Sequence, residues 1–131
     1  MKKWLACLLL QVSLFAHAQR APFRFAFVTD THIGSPDGVA EEDLRRTIRD
    51  INAQPDLSFV LLTGDITELG TNQELALAKK ILDSLRIPWY IIPGNHDTGW
   101  SETGGLGFMQ TFGMDRFSFN FQGTQFIGCA S

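Results

Sequence analysis

Three apolar runs, each ending in a polar group, restrict this chain more than any other feature. Phe25-Ala26-Phe27-Val28 leads to Asp30-Thr31-His32, Phe59-Val60-Leu61-Leu62 to Gly64-Asp65, and Trp89-Tyr90-Ile91-Ile92 to Gly94-Asn95-His96-Asp97. Asp30, Asp65 and Asn95 lie 35 and then 30 residues apart, near the roughly 30 residues that a strand, a helix and a return strand consume. The intervening segments carry the matching helical signals. Ala40, Leu44, Thr47, Ile48 and Ile51 recur at helical spacing after the turn residues Gly34-Ser35-Pro36-Asp37-Gly38, and Pro55 bars further helix. Thr71 with Glu74 three residues on is a capping box, followed by Leu75, Ala78, Ile81, Leu82 and Leu85 on one face. The predicted order is therefore a parallel βαβαβ unit of the α/β class, whose ligands gather beyond the carboxyl ends of the strands.

Both faces of the first strand, residues 23–29, are apolar enough to be covered, and Ser58 to Thr63 is the nearly unbroken run of a strand buried on both sides. Arg45, Arg46 and Arg49 fall among Glu41, Glu42, Asp43 and Asp50, so they read as a solvated helix face. The glycines of 98–107 match neither a dinucleotide fingerprint nor a P-loop, and the segment reads as a flexible rim. A short amphipathic turn, Phe108 to Phe112, precedes Phe117, Phe119 and Phe121 in strict alternation, then Gln122-Gly123 and Thr124 to Cys129. That is a β-hairpin, beginning a second sheet or extending the first.

Residues 1–18 have the form of a leader: Lys2-Lys3, an apolar stretch from Leu5 to Phe15, and Ala16-His17-Ala18 as a small-x-small cleavage site. The apolar run is below the roughly 18 residues of a membrane span, and Cys7 comes too early to accept a lipid. Export to the periplasm or the extracellular space is expected, with Gln19 as the first mature residue and no stable membrane anchor after cleavage. Without the leader, 9 basic side chains face 14 acidic ones, so the basic stripe that nucleic-acid binding needs is missing. Cys129 would then be a lone cysteine, and stability must come from the core rather than a disulfide.

Each polar stretch taken alone has a bland reading. Asp30 could close an Asx-turn, His32 could be a loop histidine, and Gly64-Asp65 and Pro93-Gly94-Asn95 are turn chemistry as they stand. Their conjunction at the ends of consecutive parallel strands argues otherwise. Two carboxylates, an imidazole and an amide oxygen form a mixed oxygen and nitrogen shell suited to divalent manganese, iron or zinc. A shared Asp65 could bridge two ions, the arrangement that clamps both oxygens of an in-line phosphoryl displacement.

Asp30-x-His32, Gly64-Asp65 and Gly94-Asn95-His96-Asp97, in this order and spacing, resemble the calcineurin-like metallophosphoesterases over essentially all of residues 19–131. The resemblance implies the N-terminal half of an α/β/β/α sandwich, a phosphate ester substrate, and catalysis by a metal-bridged hydroxide. It implies that Asp30 and His32 bind a first metal, that Asp65 bridges, and that Asn95 binds a second. His96 would contact the phosphate or protonate the leaving oxygen, with Asp97 holding its ring. Protein phosphatases continue Gly-Asp with Val-Asp-Arg-Gly, and purple acid phosphatases carry tyrosine where Glu68 stands. The pattern looks most like bacterial phosphodiesterases of the cyclic-nucleotide class. Glu68 is then either a support to the metal ligands or a solvated loop acid. Thr98, Trp100 and Ser101 either line the substrate cleft or form an ordinary exposed loop.

The family supplies three further histidines from its second half, and no histidine follows His96 here. By that resemblance the first metal lacks one ligand and the second lacks two. The expected molecule is a partial phosphoesterase domain, inactive alone, whose sheet and site a C-terminal remainder or a partner chain completes. The alternative, should the chain end at Ser131, is a non-catalytic metal-binding or pairing module. Monoester, diester and cyclic nucleotide all remain open as substrates.

Overall fold

A computed structural model describes residues 21–130. The expected leader at 1–18, with its Cys7, and the expected first mature residue Gln19 lie outside the described residues. The element order is β1 (Arg24–Thr29), α1 (Ala40–Asn52), β2 (Leu57–Thr63), α2 (Asn72–Leu82), β3 (Trp89–Ile91), α3 (Asn95–Thr98), α4 (Leu106–Phe112), β4 (Arg116–Phe121) and β5 (Thr124–Cys129). β1, β2 and β3 form a parallel sheet in that order, pairing Val28 with Leu62 and Leu62 with Ile91. β4 and β5 form a separate antiparallel pair. The hairpin thus begins a second sheet. Gln122 and Gly123 both take positive φ, 44° and 73°, as a two-residue I′ turn requires.

Alternation along the strands divides the core. Val60 and Leu62 point to the helical layer, where they pack with Leu44, Ile48 and Ile51 of α1 and Leu75, Ala78, Ile81 and Leu82 of α2. Phe59 and Leu61 point the other way, onto Phe117 and the half-buried Phe23, Tyr90, Phe119 and Phe126. The layers are therefore helix, parallel sheet, hairpin, as in the N-terminal half of an α/β/β/α sandwich. The predicted capping box closes α2: the Glu74 N–H donates to Thr71 Oγ1 at 3.2 Å and the Thr71 N–H to Glu74 Oε2 at 3.0 Å. Arg45 pairs with Glu41 and Arg49 with Glu42, the solvated face expected of α1.

Two expectations need correction. β1 is not covered on both faces, since Phe25 and Phe27 are 40% and 60% exposed. The reason is reach: the hairpin's Phe126 meets Phe25 edge-on, whereas Phe27 has no aromatic partner among the described residues. The segment after His96 is also not a loose rim. Residues 99–105 form turns that join α3 to α4, and among them Ser101 is buried with its hydroxyl donating to the Gly70 carbonyl at 3.1 Å.

Candidate metal centre

The site begins where the ladder between β1 and β2 runs on past the strands. His32 N–H donates to Asp65 O at 3.1 Å, Ile33 N–H to Ile66 O at 2.9 Å, and Glu68 N–H to Ile33 O at 2.9 Å. Thr31 Oγ1 adds a bond to Ile66 O at 2.8 Å. These bonds hold the two post-strand loops in register, which sets His32 beside Asp65. Asp30 and His32 take the left-handed conformation, φ 55° and 44°, a conformation that costs a non-glycine residue free energy and that collects at functional sites. The third loop comes in close: a Cβ on Gly94 would collide with the backbone and carboxylate of Asp65. Glycine there lets the His96 N–H reach Asp65 Oδ1 at 3.0 Å.

Asp30, His32 and Asp65 each present a ligand atom within 4.8 Å of the others. Donors around one first-row ion, bound at about 2.0–2.2 Å, stand at most about 4.4 Å apart, so small side-chain movements close this trio on a cation. Two carboxylates and an imidazole fit manganese, iron or zinc. Asn95 stands at the first residue of α3, exposed. Its side-chain amide makes no hydrogen bond among the described residues, while its carbonyl accepts from Gly99 and Trp100 N–H groups. The structure thus brings Asp30, His32 and Asp65 together and leaves Asn95 beside them, tied in through its neighbour's bond to Asp65.

His96 crosses His32 edge to face with ring centroids 4.9 Å apart, and the Trp100 ring lies tilted against it with centroids 3.9 Å apart. Its ring is not held by Asp97. Nδ1 of His96 bonds the Glu68 carbonyl at 2.6 Å, and Asp97 is fully buried with its carboxylate accepting from Ile66 N–H, Thr67 N–H, Thr67 Oγ1 and Gly94 N–H at 2.6–3.0 Å. The physical reason is α3 itself: successive residues of a helical turn do not face each other. Asp97 ties the second and third loops together instead of orienting its neighbour. Glu68, whose role sequence leaves undecided, bonds His32 Nδ1 through Oε2 at 2.8 Å. Of the three later residues, Trp100 alone borders His96, while Thr98 and Ser101 spend their hydroxyls on Gly94 and Gly70 carbonyls.

Fold and donor cluster together place the chain among α/β proteins with candidate metal ligands at the carboxyl edge of a parallel sheet. It belongs to the calcineurin-like phosphoesterase family, whose model matches residues 23–128, and members of this family normally use a dinuclear metal centre. Among curated proteins it is similar to a probable glycerophosphodiester phosphodiesterase of Arcobacter nitrofigilis, 42% identical over 77 residues, 53% of this chain and 28% of that one. A glycerophosphodiester phosphodiesterase of Enterobacter lignolyticus is 32% identical over 90 residues, 64% of this chain and 29% of the relative. A 3',5'-cyclic-nucleotide phosphodiesterase of a Nostoc species is 30% identical over 86 residues, 60% and 32% of the two chains. The match spans about a third or less of these relatives' length.

Proposed function

We propose that this chain contributes the first half of a metal-dependent phosphodiesterase centre. The convergence of Asp30, His32 and Asp65 beyond adjacent parallel strands carries the reading. Asp30, His32 and Asp65 would hold one divalent ion, and Asp65 with Asn95 would offer the first donors for a second. Bound there, such ions supply polarisation of phosphoryl oxygens and a nucleophile at neutral pH. His96, with Nδ1 engaged by Glu68 O, has Nε2 left for the ester or its leaving oxygen. The remaining donors would come from a further stretch of polypeptide, in this chain or a partner.

A diester is the substrate class that fits best. Beside the site runs a groove of about 370 Å³, whose lining includes Asp30, Thr31, His32, Ser35, Asp37 and Asp43 and, among the described residues, no lysine or arginine. With no cationic side chain there, a monoester's second charge would rest on the metal ions alone, whereas a diester carries one charge fewer. The diesterase names of the relatives point the same way. The product would act outside the cytoplasm if residues 1–18 direct export, and N-terminal sequencing of the exported protein should then begin at Gln19.

The test is manganese content of the full chain, with and without Asp65→Ala, alongside hydrolysis of bis(p-nitrophenyl) phosphate and p-nitrophenyl phosphate. Metal bound by the parent and lost in the variant is the expected result. Equal metal in both would overturn the site, and faster monoester than diester hydrolysis would overturn the substrate class. Metal bound without turnover would support the metal site and leave hydrolysis to donors from elsewhere in the protein or from a partner.

A further inference from the structure

We propose that Glu68 sets the tautomer of both imidazoles at the centre, and that it does so through two different groups. Its side-chain Oε2 lies 2.8 Å from His32 Nδ1 and its backbone carbonyl 2.6 Å from His96 Nδ1. A carboxylate and a carbonyl oxygen can only accept, so each Nδ1 must carry the proton, and a neutral imidazole has only one to carry. Both rings are thereby left with the Nε2 lone pair. For His32 that lone pair is the one available to an ion shared with Asp30 and Asp65. In water an unconstrained histidine side chain favours the opposite tautomer, with its proton on Nε2, which would block that role. Glu68 is a positioning residue: it acts on the ion through His32, and metal-ligating histidines depend on such an outer partner for ring orientation and basicity.

The geometry also decides what the His32, Glu68 and His96 group is not. Its donor atoms lie within 4.8 Å of one another, like those of Asp30, His32 and Asp65. Yet both Nδ1 atoms are already engaged by Glu68, at hydrogen-bond length. The carboxylate is partly buried, 25% exposed at the side chain, and it faces no lysine or arginine in any ion pair among the described residues. With both Nδ1 atoms and a Glu68 oxygen so engaged, this group is better placed to support the neighbouring cation site than to bind an ion of its own.

This inference deepens the metal-centre reading, and its test separates the two. Long-range nitrogen–proton NMR correlations on the metal-free full chain, at alkaline pH, report the tautomers directly. The parent should show Nδ1–H for both His32 and His96. Glu68→Ala should move His32 to Nε2–H and leave His96 unchanged, because the backbone carbonyl survives. Glu68→Gln, whose amide oxygen still accepts, should restore Nδ1–H on His32. Manganese affinity should fall about 10–100-fold in Glu68→Ala and recover in part in Glu68→Gln. Nε2–H on His32 in the parent, or Nδ1–H persisting in Glu68→Ala, would overturn the proposal. So would a shifted tautomer with unchanged manganese affinity. Tautomers as described in a parent that binds no manganese would instead overturn the metal reading and leave the assignment of Glu68 standing.

Discussion

Two neighbouring regions of this molecule use carboxylates in opposite ways. In the closed region, Asp97 is fully buried and its two oxygens take four donors from Ile66, Thr67 and Gly94. Ser101 and Gly70 extend the same knot. In the open region, Asp30 accepts from Thr29 and Asp65 from the His96 N–H, and each keeps an oxygen with no partner among the described residues. Asp65 and Ile66 are adjacent in sequence yet belong to different regions. The difference teaches where chemistry is available: a carboxylate whose lone pairs are consumed by the backbone is structure, and one with lone pairs to spare is a candidate ligand.

The strongest attempt to break this contrast is Asp97→Ala. It leaves two N–H groups and a hydroxyl without an acceptor in a buried place, and the part-buried Gly94 N–H besides, so stability should fall by at least about 3 kcal/mol in chemical denaturation. Asp97→Asn keeps one carbonyl acceptor but turns an NH₂ group toward donors, and should fall between the parent and alanine. A loss below about 1 kcal/mol for alanine would mean the knot does not rest on Asp97. A fully stable Asp97→Asn with a displaced His96 ring would return Asp97 to the role of ring holder.

The opposite experiment belongs at Asp30, where φ is 55°. Asp30→Gly removes a side chain from a left-handed backbone position, and the relief is worth up to about 1 kcal/mol. Glycine's extra freedom in the unfolded chain offsets part of this. The metal-free variant should therefore match or slightly exceed the parent's melting temperature while binding manganese less well. Clear destabilisation would show that Asp30 is held in place by contacts of structural weight, as Asp97 is, and the contrast between the regions would narrow.

The same contrast explains what was legible in the sequence. Apolar runs and their polar ends mark strands and edges, because a buried parallel strand has no other way to be written. The capping box at Thr71 and the ion pairs of α1 follow from local spacing, and they appear in the structure. What sequence does not show is which loop acid spends its lone pairs. Asp97 sits next to His96 in the chain, yet the turn of α3 sends it to residues some 30 positions upstream. Glu68 finds His32 across an interval of 36 residues, through a ladder extension at Ile33 and Thr67. Trp100 against His96 is equally remote from any periodicity. Such pairings depend on how loops cross in space, and no local pattern encodes them.

A third use of a carboxylate gives the smallest effect and a useful control. Glu42, on the exposed face of α1, is held below the usual carboxylate range by its hydrogen bond and charge contact with Arg49. Because the folded pKa is the lower one, the pair contributes stability above the unfolded value, and that contribution disappears as pH falls through the folded value. Both partners are solvent-exposed, so the contribution is slight and salt should erase it. Glu42→Gln should flatten a small part of the acid limb of the stability curve at low ionic strength and change nothing in high salt, with manganese binding unaffected. An effect on manganese binding would mean that α1, which borders the groove beside Asp30, transmits its surface charge to the open region, and the two regions would then not be electrically separate.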